Sequence, residues 1–416
     1  MILEKYMIKG TMPSTLIRGI PLVKATEEQL HWNQLRKQSL LDEKPSDFYQ
    51  VAKDQLGLHS TDYWTPYLSV WARIGDYDAE SMFDSIDNGR RLARTHAFRT
   101  TLHVMHIDNL SMILSATGPS LFRAYRADKY RKMDQLSDRE IEDMLDRVRA
   151  ALEDGPLLTT ELKKLLPEVG ENVRSALLML MARGEVIRAK ASHARSSFTS
   201  YALLNKWVKG FKLKLIDEQE AITLLIKSHI ERFGPASVDD IAWWLRETKT
   251  TVKNVLEVLG DTIVKIEVGG SEKFILMEDL EFAASLEPPS EDLVWFLPYE
   301  DHFLKAFINR ANFIVEDVQP KLFPADKKHF WPSKPDGPRK MPSKGIRATG
   351  EVRPSIWLNG QVVGRWELDD DKENMKRVVF SLYSRVTNSQ NDRIEHIRSQ
   401  LEHFINSSMI PISTGK

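Results

Sequence analysis

A pattern of three helices followed by a β-hairpin recurs along the chain at a spacing of roughly 70 residues, and it limits the folds that this sequence can adopt. The clearest copy begins at Ser137, which forms a capping-box pattern with Glu140 at the start of a helix. Two shorter helices, ended by Pro167 and Gly184, precede a hairpin over residues 185–204. This order of elements is that of a winged helix.

The same order of elements is predicted on both sides of this copy. Towards the C-terminus, helices over 217–233, 237–246 and 250–259 precede a hairpin whose turn is Gly269-Gly270, a pair that favours tight hairpin turns. Towards the N-terminus, predicted helices precede β-like residues 97–105, and Thr26 is the predicted N-cap of the first helix. The repetition predicts three tandem winged helices.

The composition changes after Leu286. Predicted strands include a hairpin turned by Asn359-Gly360, whereas residues 317–350 carry six prolines and are interpreted as a long loop or arm. We therefore predict an α+β fold, with three tandem winged-helix domains and a C-terminal β-barrel-like domain. The predicted domain boundaries are 1–135 (with an N-terminal extension), 136–213, 214–285 and 286–416.

Composition excludes several classes of function. The chain contains no cysteine, which excludes disulfides, thiolate metal sites and cysteine nucleophiles. His229, His302 and His329 lack metal-ligand spacing, so we expect no metal and no cofactor. Because the sequence has no apolar run of about 18 residues and no signal-peptide pattern, we expect a cytoplasmic protein without a membrane partner. We also expect a monomer.

Two stretches are strongly basic although the net charge of the chain is only −1. Residues 89–132 and residues 170–215 each carry nine basic residues against two acidic ones. In the second stretch these charges lie on the third helix and the wing, which meet a duplex in this fold, so phosphate contacts are expected. The predicted DNA-binding residues are Arg90, Arg91, Arg94, Arg99, His103, Arg174, Arg188, Lys190 and Arg195.

Other interpretations of these basic residues remain open. Both stretches could be solvated faces whose charge is compensated by acids elsewhere. Arg99 and His103, which we place on a strand, could pair with an internal carboxylate instead of a phosphate. Trp243 and Trp244 are interpreted as core residues, although an exposed tryptophan could stack on an unpaired base.

The stretch from Gly57 to Asp62 gathers an imidazole, two hydroxyls and a carboxylate directly after a predicted helix end. One interpretation is structural, because Ser60 or Thr61 could be the N-cap of the next helix. The other is chemical, because a neutral His59 can hold or deprotonate a water molecule and Thr61 can hydrogen-bond it.

Most of the chain resembles the winged-helix superfamily that includes the AlkZ and YcaQ DNA glycosylases. The resemblance depends on the order and spacing of several motifs. These are Leu56-Gly57-Leu58-His59-Ser60-Thr61-Asp62, Trp71-Ala72-Arg73, Arg90-Arg91-Leu92-Ala93-Arg94-Thr95, Arg99-Thr100-Thr101-Leu102-His103, Trp243-Trp244, Leu297-Pro298-Tyr299 and residues 353–366.

The resemblance implies three winged helices and a β-barrel around a channel that admits double-stranded DNA. It places His59-Ser60-Thr61 where those enzymes carry Gln-x-Gln or Gln-x-Asp, a polar pair thought to orient the attacking water. His59 and Thr61 would then position water, and Asp62 would offset positive charge on the sugar. The expected function is excision of alkylated or crosslinked bases. The alternatives are a non-enzymatic DNA-binding regulator or damage binder, and a protein-interaction scaffold.

Overall fold

The computed structural model describes residues 24–41, 43–62, 64–129, 131–191, 199–310, 312–314, 318, 352–370 and 375–409. These residues form a mixed α+β fold, as the sequence predicts. The predicted loop over 317–350 lies outside the described residues apart from Val318.

The helices and strands follow the predicted order closely. The helices are α1 (Glu27–Lys37), α2 (Phe48–Asp54), α3 (Thr65–Ile74), α4 (Ala79–Asp87), α5 (Ile107–Arg126), α6 (Asp138–Ala151), α7 (Thr159–Leu165), α8 (Val173–Ala182), α9 (Leu204–Trp207), α10 (Glu218–Phe233), α11 (Val238–Leu245), α12 (Lys249–Leu259), α13 (Met277–Ser285), α14 (His302–Lys305) and α15 (Asn388–Phe404). The strands are β1 (Leu58–His59), β2 (Leu92–His96), β3 (Leu102–His106), β4 (Val186–Ala191), β5 (Thr199–Leu203), β6 (Ile263–Val268), β7 (Ser271–Leu276), β8 (Val294–Leu297), β9 (Ser355–Leu358), β10 (Gln361–Asp370) and β11 (Lys376–Leu382).

Three copies of the helix–helix–helix–hairpin order are present. We call them the first unit (α2 to β3), the second unit (α6 to β5) and the third unit (α10 to β7), and we call β8 to α15 the C-terminal unit. Most buried residues of the second unit form a hydrophobic cluster of their own, whereas those of the other three units form one large cluster, apart from a small cluster between the β6–β7 hairpin, α1 and α13. The division into independent domains therefore stays a prediction.

The first and second units share one sheet. Its strand order is β1-β3-β2-β4-β5, and β2 pairs antiparallel with β4 where Arg94 lies opposite Arg188. We call this junction between β2 and β4 the seam. Asp87, at the end of α4, also reaches across the seam, because its Oδ2 accepts a hydrogen bond from the Ala191 amide at 2.9 Å. The wing of one unit is therefore continuous with the sheet of another.

Helix α1 packs on α13 and on α10 of the third unit. Thr26 caps it through a capping box with Gln29, which confirms the predicted N-cap. Gln34 Nε2 donates to the carbonyl of Phe233 at 2.9 Å, and Lys37 Nζ lies 2.5 Å from Asp279 Oδ2. An N-terminal helix thus supports residues about 200 positions further along the chain.

The C-terminal strands form an open sheet in the order β11-β10-β9-β8. No closure between its edges is seen within the described residues, so the predicted barrel stays a prediction. The Asn359-Gly360 turn is confirmed, with φ values of 51° and 79°. Gly269 and Gly270 likewise have positive φ in the turn between β6 and β7.

Gly360 is required by its surroundings as well as by its backbone. A Cβ atom at this position would lie 2.8 Å from Leu35 Cδ1 and closer still to His31 Nε2. We expect Gly360→Ala to lower the free energy of unfolding by about 2–4 kcal/mol, because a strained φ and a collision add together. Chemical denaturation followed by circular dichroism measures this loss.

The matched control is Gly270→Ala. Its φ is +68°, but no atom lies within 4 Å of its added Cβ, so only the backbone strain of about 1–2 kcal/mol applies. Equal losses for the two variants would contradict the packing of α1 against this turn.

Candidate functional site

Strand β1 places His59 opposite His103 of β3, and β3 in turn places His103 opposite Thr95 of β2. Residues paired across strands point to the same face, so these three side chains form one row on the sheet. The two imidazole rings meet edge to face, with centroids 5.6 Å apart. The β1 strand is tied down further by the Ser60 amide, which donates to the Leu102 carbonyl at 2.7 Å.

This row of side chains is buried beneath the C-terminal unit. Only 3% of the His59 surface is exposed, and the His59 Nε2 atom lies 3.8 Å from Glu300 Oε2. Glu300 is itself buried and has a positive φ of 58°. Its Oε1 accepts a hydrogen bond from the Val352 amide at 2.6 Å, and its Oε2 is paired with Lys305 Nζ. The structure therefore holds a fixed carboxylate beside His59.

Asp62 and Thr61 have different surroundings from His59. Asp62 Oδ1 accepts hydrogen bonds from the amides of Trp64 at 2.9 Å and Thr65 at 3.3 Å, so Asp62 caps the start of α3. Thr61 is exposed to solvent. The prediction that Ser60 or Thr61 is the N-cap of the next helix is therefore wrong: the N-cap position of α3 is Trp64, and the Asp62 carboxylate accepts from the first amides of the helix.

A buried ion pair fixes the C-terminal unit on α3. Arg73 Nη1 and Nη2 each donate to a different oxygen of Asp301 at 3.0 Å, and Ser69 Oγ donates to Asp301 Oδ2 at 2.8 Å. Burial on its own would raise the pKa of the Asp301 carboxyl, but the Arg73 guanidinium, together with His302 and the hydrogen bond from Ser69, outweighs burial and holds that pKa well below its usual value. The next residue, His302, lies 2.6 Å from Gln55 Oε1 through its Nε2 atom.

Arg99 does not lie on a strand, so that prediction is wrong. It occupies a 3₁₀ turn over Phe98–Thr100 with a φ of 53°, and its Nη1 donates to the Trp243 carbonyl at 3.0 Å. The Arg99 guanidinium also lies 3.4 Å above the Trp243 ring, while Trp244 is buried against Phe98, as the core interpretation expects. Arg99 thus fastens the turn to the third unit. His103 lies on β3 as predicted.

Many residues of the two basic stretches are paired with acids, as the alternative interpretation expects. The ion pairs are Arg90–Asp84, Arg123–Glu218, Arg126–Asp138, Arg131–Asp128, Arg183–Glu142 and Lys206–Glu153. Arg91 stacks over the Tyr49 ring at 4.4 Å.

Four further predicted DNA-binding residues lie at or near the seam. Arg94 is buried on β2 and Arg188 is half-buried on β4, whereas Arg174 and Lys190 are exposed. Arg195 lies outside the described residues.

Sequence reasoning missed two residues of this region. Exposed Arg246 ends α11 in a left-handed conformation with a φ of 63°, and it lies close enough to Arg99 and Tyr125 to influence the pKa of each. Glu300 was missed because its partner His59 is 241 positions away (300 − 59). Arg246 could have been identified from the sequence, because an Arg-Glu dipeptide follows an apolar helix there. No local pattern indicates Glu300.

No group of three or more histidine and carboxylate residues that could hold a metal occurs among the residues that the structure describes. In the same residues, none of the helices is both long and apolar enough to cross a membrane.

Comparison with known proteins gives consistent matches over nearly the whole chain. The family model described as "DNA glycosylase AlkZ-like" matches residues 52–404. A curated protein, the interstrand DNA cross-link repair glycosylase of Streptomyces sahachiroi, is 22% identical over 364 residues, which cover 84% of this chain and 90% of that protein. The solved structure of Streptomyces sahachiroi DNA glycosylase AlkZ superposes with a TM-score of 0.72 at 18% identity, covering 94% of this chain and 98% of that chain.

Removal of the Asp301 charge is expected to destabilise the fold strongly. Asp301→Asn leaves the fully buried Arg73 without its carboxylate, which costs about 3–5 kcal/mol of unfolding free energy. The control is Glu153→Gln, which removes an exposed partner of Lys206 and costs at most about 1 kcal/mol. Urea denaturation of both variants measures the difference, and similar losses would refute the structural role of the buried pair.

The buried histidines lead us to expect that the folded protein loses stability at acidic pH. Burial lowers the pKa of His103, His229 and His302 to about 3, and that of His31 and His96 to about 4. In the unfolded chain the histidine pKa values are about 6.5. At a pH between these values and the lower values of the folded protein, the unfolded chain therefore binds more protons than the folded protein does. Stability is therefore complete above pH ~6.5 and falls as the pH drops towards ~4.

Urea midpoints measured between pH 7.5 and 4.5 test this expectation. His103→Asn should flatten the loss of stability with acidity, because one imidazole that resists protonation is gone. His403→Asn, a change at an exposed position of α15, serves as the control. A midpoint that stays constant from pH 7 to 5 would contradict the expectation.

Proposed function

Because this chain belongs to the AlkZ-like DNA glycosylase family, we propose that it binds double-stranded DNA and excises alkylated or crosslinked bases from it. The family match over residues 52–404 carries this proposal. The Streptomyces relative is an interstrand DNA cross-link repair glycosylase, which supports the choice of lesion.

The reaction that we propose is hydrolysis of the bond between the sugar C1′ and the base nitrogen. An alkylated purine carries positive charge, so it leaves as a neutral base and takes the electrons of that bond with it. Positive charge then develops on the sugar. The water oxygen forms the new bond to C1′, and a proton of that water passes to a side chain that acts as general base. The protein therefore has to position water and stabilise a cationic sugar.

The roles that we propose follow the surroundings of each residue. Exposed Thr61 hydrogen-bonds the water, and His59, held between His103 and Glu300, accepts its proton. Asp62 adds negative charge next to Thr61 while it caps α3. Glu300 lies 3.8 Å from His59 and supplies a second, fixed negative charge that favours the protonated imidazole.

We propose that the duplex is held by exposed cations near the seam and around it. Arg174, Lys190 and Arg246 are exposed, and Arg90 and Arg91 lie at the surface before β2. Arg195 remains part of this proposal from its place in the sequence. Such side chains contact backbone phosphates and give affinity without base specificity.

The second candidate function is DNA binding without catalysis, as a regulator or damage binder. The burial of His59 favours it, because a side chain only 3% exposed has to become accessible before it can touch a flipped nucleotide. This candidate predicts salt-dependent duplex binding with no turnover.

A base-release assay distinguishes the two candidates. The protein is incubated with a duplex that carries N7-alkylated guanine, and free base is quantified by mass spectrometry. We expect release above the spontaneous rate, reduced roughly 100-fold in Thr61→Val and in His59→Ala, because each loses a group that handles the water. Thr250→Val, at an exposed threonine of α12, should keep the full rate.

Two results would overturn the enzymatic proposal. Tight duplex binding by the unaltered protein without base release establishes the non-enzymatic candidate. Release that is equally fast in the Thr61, His59 and Thr250 variants would show that these residues do not position the water.

A further inference from the structure

Two arginines face each other across the seam. Arg94 of β2 and Arg188 of β4 are paired directly in the antiparallel register. Residues paired in this way have side chains on the same face and close together, and like charges at such positions are destabilising. The strand pairing that joins the first two units therefore places two cations side by side.

Arg94 makes no direct hydrogen bond or ion pair among the described residues, although the Asp87 carboxylate lies near enough for the Arg94 charge to lower the pKa of Asp87. Its surface is only 6% exposed, its Nε atom has no hydrogen-bond partner, and its guanidinium forms no hydrogen bond or ion pair with any residue that the structure describes. A buried donor without an acceptor costs free energy, and a buried charge costs more. An anion bound beside Arg94 would reduce this free-energy cost.

Arg188 is only partly satisfied. Its Nη1 donates to Thr199 Oγ1 at 2.8 Å and its guanidinium lies 4.4 Å from the Tyr201 ring centroid, but its Nε has no partner in the described part of the chain. Burial lowers the pKa of Arg188, and the neighbouring charges of Arg94 and Arg174 lower it further. These effects place a third arginine beside the first two.

The wall behind the arginines also carries polar atoms without partners. Tyr67 Oη and Asp87 Oδ1 are buried and unpartnered within the described residues, and both groups lie close enough to Arg94 for its charge to affect their pKa values. Asp87 is one carboxylate against three arginines. The net charge of the cluster is therefore positive.

Two exposed cations beside this cluster belong to the surface that the proposed function assigns to DNA. Arg174 of α8 and Lys190 of β4 are exposed there. Arg174 lies near enough to Arg188, and Lys190 near enough to Asp87, for their charges to affect the pKa values of these two partners.

We propose that Arg94 and Arg188 form an anion site at the seam that takes one backbone phosphodiester of double-stranded DNA, with Arg174 and Lys190 at its rim. This proposal rests on the proposed function only in that the chain binds DNA. A phosphodiester has one negative charge and two free oxygens, which suit paired guanidinium forks. Bound there, it removes the repulsion across the seam and contacts both of the first two units.

The test compares Arg94→Met with Arg147→Met. Arg147 is exposed and paired with Glu168 at 3.1 Å, so its substitution makes the same change of charge away from the seam. Three quantities are measured for each variant: the thermal midpoint in phosphate-free buffer, the Kd for undamaged duplex over a range of salt, and the shift of the midpoint on adding inorganic phosphate.

We expect opposite effects on stability and on binding. Arg94→Met should keep or raise the thermal midpoint, because a like charge is gone, and should weaken duplex binding roughly tenfold with a salt slope smaller by about one. Arg147→Met should leave the duplex Kd and the salt slope unchanged.

Other outcomes overturn the proposal. If Arg94→Met lowers the thermal midpoint but has the same duplex Kd as Arg147→Met, Arg94 is a structural residue whose charge is solvated by water. A midpoint raised by inorganic phosphate in the unaltered protein but not in Arg94→Met, with duplex binding unchanged, would assign the site to free phosphate. If Arg94→Met does not fold, Arg188→Gln decides, because an unchanged salt slope there excludes a DNA phosphate.

This outcome is separable from that of the base-release assay. Binding to undamaged duplex needs no excision, so an inactive protein that binds DNA through Arg94 still supports the anion site. If the unaltered protein does not bind duplex DNA at all, the proposal of a phosphodiester site is refuted.

Discussion

The buried ion pair between Arg73 and Asp301 determines how the C-terminal unit lies on the first unit. Consecutive residues around it make separate contacts with that unit: the Tyr299 carbonyl accepts from Thr65, Glu300 lies beside His59, and His302 lies beside Gln55. A paired charge inside a protein tolerates little displacement, because separation leaves both ions desolvated and alone. The ion pair therefore holds Glu300 within reach of the imidazole.

Local features of the fold could be predicted because their causes lie within a few residues. The capping boxes at Thr26 and Ser137 depend on hydrogen bonds that span three positions. The Asn359-Gly360 turn depends on backbone angles that few residues other than these adopt. The repeated order of three helices and a hairpin follows from many such signals, and it was predicted correctly over most of the described chain.

The arrangement of the candidate site could not be predicted, because it depends on contacts between distant residues. His59 was identified from its local motif, but its burial results from the chain around Glu300, which no pattern near residue 59 announces. Arg99 was assigned to a strand because its neighbours favour strands, yet the Trp243 ring and carbonyl hold it in a turn. Pairing of β2 with β4 likewise needs a register that neither strand specifies alone.

Although the second unit has a separate hydrophobic core, it depends on the first unit because the two share one sheet. If the chain were divided near residue 135, β4 would become a bare edge strand with unpaired amides and carbonyls, and so would β2. Exposed edges of this kind pair with other chains and promote aggregation. The repeats of this protein are therefore similar in architecture but not interchangeable as modules, and a fragment or a domain exchange has to carry both strands of the seam together.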